Sequence, residues 1–459
     1  MKKNLIFALA LAATIQISAQ TDGAISQEML AKFRSEYQHD PANKARHNAL
    51  NAASIDKVAS NGDVRNQLDD YFSHRVETKG ITDQKSSGRC WLFTTLNMLR
   101  AQAMAKHNLP KLTFSQNYNF FYDQLEKSNL FLQSVIDTSD SPMDDRLVEW
   151  FFQNPIADGG TFCGAIDVIS KYGVVPTEAM AETEVSNSTS TFRRLLSLKL
   201  REDGLRLRQA KEKGADAAAL DAMKTEQLSE IYKMLALALG VPPQEFTWTK
   251  KDKNGNPVET KKYTPMSFYE EYLGNDLKNG YVMFMNDPSR EYWKVYRIDY
   301  DRHSYDGMDW TYLNVPMDEI KKAAIESIKD STAMYFSCDV SKYIDRTNGI
   351  LDLNNYDYES LFDTSFGMDK AERISTKASA SSHAMTLSGV DLDDKGNPKK
   401  WLIENSWGNS GQKGYLIATD PWMDEYLFRL VVEKKYASPK VLKALKQEPI
   451  LLPAWDQLF

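Results

Sequence analysis

The sequence predicts an α+β fold, in which a helical region is followed by a region of short strands. A charged stretch from about residue 191 to residue 240 has a strongly helical composition. From Thr247 onward, short β-like runs alternate with turns such as KDKNGNP. A chain of 459 residues is also too long for one small core, which indicates one large domain with insertions or two to three domains.

The first twenty residues have the pattern of a secretory signal peptide. Lys2 and Lys3 precede an apolar stretch over residues 5–13, and the segment ISA places small residues at a cleavage position. We therefore expect a signal peptide over residues 1–19 and an exported protein, either periplasmic or secreted. No other stretch approaches the length that spans a bilayer, so we expect no membrane partner.

Charge and cysteine content restrict the possible partners further. Loss of Lys2 and Lys3 with the signal peptide changes the formal charge from −7 to −9, which argues against a nucleic-acid partner. Cys90, Cys163 and Cys338 are too few for a disulfide framework, and their odd number leaves at least one thiol unpaired. The sequence leaves open whether Cys163 and Cys338 pair with each other.

Two helices are expected in the first half of the chain. Leu92, Leu96 and Leu99 recur at helical spacing and predict a helix over residues 91–108. An aromatic-rich segment predicts a second helix over residues 114–132.

The charged stretch is expected to be a helical insertion that breaks at Gly240. We do not expect a coiled coil, because Gly204 and Gly214 interrupt any heptad. The terminal segment EPILLPAWDQLF is apolar, contains two prolines and predicts an extended arm.

Cys90 stands where the first of these helices begins, just after Gly88. A helix N-terminus presents free N–H groups and a partial positive charge, which favour the thiolate and lower the thiol pKa. Gln84 is placed to add a side-chain N–H beside the Cys90 backbone N–H, forming a two-donor cradle for an oxyanion. A buried core cysteine is the commoner interpretation of a thiol beside Trp and Leu.

A β-hairpin is expected to bring His383 and Asn405 together. Each lies 11 residues from Asp394, the centre of the turn DLDDKGNP, and residues equidistant from a hairpin turn face each other. An amide oxygen on one ring nitrogen would leave the other nitrogen for a nucleophile. Without Cys90, a structural histidine and a turn-forming asparagine would be the better interpretation. Trp407 either covers the pair or is a core aromatic.

The segment DGGTF contains Gly159 and Gly160. Paired glycines let a substrate backbone approach closely, although most such pairs are merely turns.

The segments DQKSSGRCWLFTTLN, SSHAMTLSGVD and IENSWGNSGQKGY resemble the active-site blocks of papain-like cysteine peptidases. Within that group they resemble the bleomycin hydrolase/aminopeptidase C family, of which Ser-Ser-Gly-Arg-Cys-Trp is characteristic. Further similarity runs along nearly the whole mature chain and includes NPIADGGTF, KYGVVP, YDYESLFDTSFGMDKAERI and LPAWD.

The resemblance implies a papain-like fold with a helical left subdomain, a β-barrel-like right subdomain, a helical insertion and a C-terminal arm in the cleft. The expected segments are a signal peptide (1–19), an N-terminal extension (20–75), the left subdomain with the nucleophile helix (76–182), the insertion with a mixed segment (183–330), the right subdomain with His and Asn (331–445) and the arm (446–459).

The resemblance also implies the site residues. Cys90 would be the nucleophile, His383 the general base and then acid, Asn405 the residue that orients His383, and Gln84 the oxyanion donor. Amide hydrolysis would proceed through a thioester, without a metal or cofactor.

Three groups of residues take lesser roles by the same resemblance. Gly159 and Gly160 correspond to a segment that hydrogen-bonds substrate backbone, and Trp407 would support the site. Cys163 and Cys338 would be packing residues.

Family members assemble as hexameric barrels, and the terminal carboxylate of the arm meets the free amino group of the peptide substrate. The resemblance therefore implies an aminopeptidase. Phe459, expected to bind substrate, is a bulky end in place of the family's small residue and changes how the cleft would be capped. Only Gln457, Leu458 and Phe459 follow Asp456, so an endopeptidase or broad-specificity peptidase with an open cleft is the alternative. A non-enzymatic assembly protein and a transglutaminase-type acyl transferase fit the four site residues less well.

Overall fold

The computed structural model describes residues 23–37, 40–65, 68–274 and 276–458. The predicted signal peptide and Phe459 lie outside these residues. The described residues divide into two compact units, the first containing those from 23 to 60 together with 358–363, and the second containing those from 61 to 357 and from 364 to 458. The predicted segment boundaries stay predictions.

The described helices, in chain order, are α1 (Gln27–Glu36), α2 (Pro41–Ala52), α3 (Ile55–Ala59), α4 (Gly62–Arg65), α5 (Cys90–Lys106), α6 (Gln116–Asp137), α7 (Arg146–Gln153), α8 (Phe162–Tyr172), α9 (Glu184–Asn187), α10 (Ser190–Glu212), α11 (Ala217–Leu239), α12 (Pro265–Tyr272), α13 (Met317–Lys329), α14 (Tyr358–Phe362), α15 (Lys370–Ser375), α16 (Ser410–Lys413), α17 (Asp420–Tyr426) and α18 (Pro439–Ala444).

The described strands are β1 (His74–Arg75), β2 (Phe246–Lys251), β3 (Pro257–Tyr263), β4 (Tyr281–Met285), β5 (Lys294–Ile298), β6 (Thr311–Asn314), β7 (Met334–Cys338), β8 (Ile344–Asp345), β9 (Ile350–Leu351), β10 (His383–Leu392), β11 (Pro398–Glu404), β12 (Tyr415–Thr419), β13 (Leu427–Glu433) and β14 (Ile450–Leu452).

The first unit consists of α1, α2, α3 and α14. The side chains of Ser26 and Asp40 accept hydrogen bonds from the first turns of α1 and α2 and so define where these helices begin. The Tyr358 hydroxyl donates to Asp56 at 2.8 Å, which joins α14 to α3.

The helical part of the second unit is built on α5, α6, α10 and α11. Both α10 and α11 pack against α6, so the charged stretch is helical as predicted. Gly204, however, lies inside α10, where an added Cβ would come within 3.1 Å of Phe131. A side chain at this position would have to push the Phe131 ring aside, and only Gly214 falls between the two helices.

Helix α5 is buried on every side, whereas the sequence predicted an apolar stripe. Its buried arginine has partners inside the protein for one terminal nitrogen, whereas its Nε has no hydrogen-bond partner among the described residues. Arg100 donates to Glu404 at 3.1 Å and to the carbonyl of Gly80 at 2.7 Å. A buried arginine with these partners lets α5 cross β10 and β7 without exposing any face to solvent.

The large sheet has the strand order β14-β5-β6-β4-β13-β7-β10-β11-β12-β9-β8, with β1 also pairing β10. Strand β10 lies near its middle and begins at His383. It is buried along nearly its whole length because α5 and α13 both pack on it. This arrangement places the first residue of α5 beside the first residues of β10.

The predicted C-terminal arm is extended. Residues 450–452 form β14, which pairs in parallel with β5. Beyond it, the Arg146 guanidinium lies 4.1 Å from the centre of a Trp455 ring, Arg290 forms an ion pair with Asp456, and Arg429 donates to the Leu458 carbonyl. The arm is thus attached to the second unit as far as Leu458, whose side chain is buried.

Cys163 and Cys338 are both buried and free, which answers the question of their pairing. None of the helices described is both long enough and apolar enough to cross a bilayer.

Candidate active site

Cys90 is the first residue of α5, and its thiol is surrounded by backbone N–H groups. Those of Ala384, Trp91 and Cys90 itself favour the thiolate, as expected at a helix start. Burial of the sulfur outweighs them and raises the pKa of the Cys90 thiol. The sequence-based expectation of a lowered thiol pKa is therefore wrong for the free protein, because it counted the helix end and not the loss of water.

Asp158 holds the loop that precedes Cys90. Its Oδ2 accepts from the Gly88 N–H at 2.8 Å, and its carbonyl accepts from the Trp91 indole at 2.9 Å. A Cβ at Gly88 would lie 2.5 Å from Asp158 Oδ1, so a side chain there would displace this carboxylate. Sequence reasoning missed Asp158, although its position directly before the glycine pair was a usable signal.

Gln84 is fixed by Ser87 and Ser406. Its Nε2 donates to the Ser87 carbonyl at 2.7 Å, and its Oε1 accepts from the Ser406 hydroxyl at 2.6 Å. Because a carboxamide nitrogen carries two hydrogens, Nε2 keeps one further donor for a ligand.

His383 and Asn405 are in contact, with 2.8 Å between His383 Nε2 and Asn405 Oδ1. The same Oδ1 accepts from the backbone N–H of Ser406 at 2.8 Å. A backbone N–H is always a donor, so the atom facing it must be the amide oxygen, and His383 Nε2 must carry the ring hydrogen. The lone pair of His383 is therefore on Nδ1.

Burial lowers the pKa of His383 to about 4, against the opposing effect of the Asn405 hydrogen bond. The positive charge of Arg346 lowers it further. At neutral pH the imidazole is accordingly neutral and available as a proton acceptor.

The expected register of the hairpin is wrong by two residues. The pair nearest the site is Thr386↔Glu404, and extending it by three residues places position 383 opposite position 407. The turn is centred on Lys395 and not on Asp394, because Asp393 faces Asn397 and Leu392 pairs with Pro398. The two irregularities along the hairpin cancel each other, so this one-residue error in the centre produces the whole shift. The imidazole and the carboxamide meet as diagonal neighbours just beyond the ladder.

Trp407 occupies the opposing position. Its indole stacks on the His383 ring with 4.8 Å between centroids and 25° between planes. The Arg346 guanidinium lies over the same indole, 4.8 Å from the ring centre. Trp407 thus covers one face of the imidazole.

A cavity of about 720 Å³ brings the predicted residues together. It is lined by residues that include Gln84, Cys90, Gly159, Gly160, His383 and Trp407. Phe459, predicted to bind substrate, lies outside the described residues.

A second histidine, His303, forms part of the cavity wall and was not anticipated. Its Nε2 accepts from the Thr161 N–H at 3.3 Å, so Nδ1 donates to the buried Asp123 at 2.6 Å. Both ring nitrogens are engaged, and burial lowers the pKa of His303. An added Cβ at Gly160 would lie 2.1 Å from this ring, which gives the second glycine of the pair a packing reason.

Among the residues that the structure describes, no cluster of three or more His, Cys, Asp or Glu side chains is arranged to hold a metal ion.

Comparisons with known proteins agree on one relationship. The profile of the Peptidase C1-like family matches residues 24–459. Aminopeptidase G of Lactobacillus delbrueckii subsp. lactis is 39% identical over 95% of this chain and 99% of its own. Aminopeptidase C of Listeria monocytogenes is 38% identical over 94% and 97%, and bleomycin hydrolase of Mus musculus is 40% identical over 84% and 88%. The crystal structure of PepW from Lactobacillus rhamnosis HN001 superposes with a TM-score of 0.91 at 36% identity, covering 95% of this chain and 99% of that one.

Proposed function

Because this chain belongs to the Peptidase C1-like family and is a cysteine-type peptidase, we propose that it releases N-terminal residues from peptides, with Cys90 as its nucleophile. The predicted papain-like α+β fold and the predicted relationship to bleomycin hydrolase and aminopeptidase C are confirmed. The names of the relatives support the aminopeptidase class.

The chemistry follows from the ring nitrogens of His383. Nδ1 accepts the thiol proton as Cys90 Sγ attacks the scissile carbonyl carbon, and the carbonyl oxygen becomes an oxyanion. The Cys90 backbone N–H and the Gln84 Nε2 donate to that oxyanion. The imidazolium then gives its proton to the leaving amine, and the C–N bond breaks to leave a thioester. Water, deprotonated by Nδ1, hydrolyses the thioester and restores the thiol.

The observation that carries this proposal is the paired acceptance by Asn405 Oδ1, from His383 Nε2 and from the Ser406 N–H. It fixes the tautomer that leaves Nδ1 as the base. The thiol and this imidazole line one cavity, and the Ala384 N–H that favours the thiolate directly follows His383.

The arm supports exopeptidase action over the open-cleft alternative. Arg429 lines the cavity and donates to the carbonyl of Leu458. The arm therefore reaches the cleft wall, where it would obstruct a longer chain on the acyl side.

The test compares alanine 4-nitroanilide with its N-acetylated form. We expect hydrolysis of the free amine and at least tenfold lower kcat/KM for the blocked substrate. Cys90→Ala should abolish turnover and labelling by iodoacetamide, because Cys163 and Cys338, which remain, are buried. Equal cleavage of both substrates, or rapid cleavage of an internally quenched peptide blocked at both ends, would favour the endopeptidase alternative.

We also propose export and hexameric assembly. Export is supported by the pattern at residues 1–19, and assembly by the resemblance described above. N-terminal sequencing of protein recovered from the periplasm or medium, and light scattering after gel filtration, test the two proposals separately.

A further inference from the structure

Arg346 is an exposed cation close to the proposed catalytic imidazole. It follows β8 directly and lies over the Trp407 indole, which stacks on His383. No acidic side chain among the described residues forms an ion pair with it. Its charge is therefore available to a ligand.

The guanidinium borders a second, smaller cavity of about 280 Å³. Its lining consists of Ile344, Arg346, Trp407, Ser410, Gly411 and Leu416. Trp407 lines the larger cavity as well, so the two cavities share this residue as a wall. The smaller one has room for about one amino-acid residue.

The strand order shows which part of a substrate would enter this cavity. Strand β13, which carries Arg429 and through it the arm, lies on one side of β10. Strands β12 and β8, which carry Leu416 and Ile344, lie on the other side. If the arm obstructs the acyl side, the leaving peptide must extend toward Trp407 and Arg346.

We propose that Arg346 and Trp407 form a carboxylate-binding subsite for the leaving peptide. This proposal rests on the proposed aminopeptidase function and adds a substrate preference to it. A guanidinium presents paired N–H donors that match the two oxygens of a carboxylate, and the indole holds its plane in place. The carboxylate is either the C-terminal group of a dipeptide or an acidic side chain of the first leaving residue.

The experiment measures kcat/KM by release of free alanine from four substrates: Ala-Leu, Ala-Leu amide, Ala-Glu amide and Ala-Gln amide. The first pair isolates the C-terminal carboxylate and the second pair isolates the side-chain carboxylate. Wild type is compared with Arg346→Ala, Arg346→Lys and Arg206→Ala. Arg206 is a matched control, since it is an exposed arginine of α10 that pairs with Glu202.

We expect wild type to prefer the carboxylate in at least one pair by roughly three- to tenfold, in line with a partly exposed charge contact. Arg346→Ala should abolish that ratio, Arg346→Lys should retain part of it, and Arg206→Ala should leave it intact. The ratio is the readout because a change at Trp407 that alters the chemical step affects both members of a pair equally.

The proposal would be overturned by a ratio of one in wild type for both pairs. It would also be overturned if the ratio survives Arg346→Ala or is lost equally in Arg206→Ala. Turnover of alanine 4-nitroanilide tests the proposed function independently. If no substrate is cleaved, calorimetric binding of Ala-Leu and Ala-Leu amide to Cys90→Ala makes the same comparison.

Discussion

One backbone N–H determines the protonation pattern of the site. Ser406 donates to Asn405 Oδ1, so the amide cannot flip without losing that bond, and the oxygen must also receive the hydrogen of His383 Nε2. The Ser406 hydroxyl donates to Gln84 Oε1, which directs the nitrogen of Gln84 away from Ser406. A single serine thereby orients both the base and the proposed oxyanion donor.

The pH dependence of kcat/KM should reflect the buried imidazole. His383 accepts a proton only when neutral, and burial lowers its pKa to about 4, so activity should fall on acidification around pH 4 and not near 6.5. Arg346→Ala removes a charge that lowers this pKa and should move the acid limb to higher pH. The measurement is kcat/KM for alanine 4-nitroanilide between pH 3 and 8, with circular dichroism at each pH to verify folding. An acid limb centred at 6.5 in wild type would contradict the burial argument.

Two substitutions at Asn405 distinguish its role in orienting His383 from the effect of a negative charge beside that ring. Asn405→Ala removes the acceptor of His383 Nε2 and should lower kcat by roughly ten- to a hundredfold. Asn405→Asp keeps an acceptor for both donors and should retain more activity, while its negative charge raises the His383 pKa and shifts the acid limb upward. Equal losses without a shift of the limb would show that Asn405 acts only in packing.

At the scale of single residues, the sequence predicted the candidate site residues better than the contacts between them. Cys90, His383 and Asn405 were predicted by type and spacing, but the register between the last two was wrong because the turn is centred one residue later than its sequence pattern indicated. Ser406 lies beside Asn405 and was within reach of sequence reasoning. Arg346 gave no signal, because an isolated arginine in a turn is identified only by what the fold places next to it.

At the scale of elements, the segment between α7 and α8 joins the nucleophile helix to the cavity wall. Asp158 binds the Gly88 N–H, and Gly160, just before α8, leaves room for the His303 ring. The two glycines of this segment differ: an added Cβ at Gly160 meets His303 and, at 3.0 Å, Trp91, whereas one at Gly159 meets no described atom within 4 Å. The sequence predicted the pair but could not distinguish its members.

The glycine pair provides a matched test of this wall. Gly160→Ala should lower the free energy of unfolding by about 1–3 kcal/mol or more, because overpacking displaces His303 from its hydrogen bond with Asp123. Gly159→Ala should leave the melting temperature nearly unchanged. Thermal unfolding of both variants checks the difference, and similar melting temperatures for the two would contradict the packing role assigned to Gly160.

Across the whole molecule, the helical insertion and the strand-rich half were predicted from composition, and α5 and β10 were placed nearly to the residue. What the sequence did not show is how α5 is enclosed, since Arg100 and Glu404 are 304 positions apart and form a buried pair only in the folded chain. Strand order likewise depends on pairings distant in sequence. It is this order that separates the arm side of β10 from the side of Arg346.

Deletion of residues 457–459 should open the end of the cleft that the arm obstructs. Leu458 is buried, and loss of its side chain removes about 1.5–3 kcal/mol of burial together with the carbonyl that accepts from Arg429. The truncated protein should therefore cleave N-acetylated substrates faster, so that the ratio of kcat/KM for free over blocked alanine 4-nitroanilide falls by roughly tenfold. Arg429→Ala keeps the full arm and removes only its donor, and should lower the ratio less. An unchanged ratio after truncation would mean that selectivity for a free amine arises in the cleft itself and not from the arm.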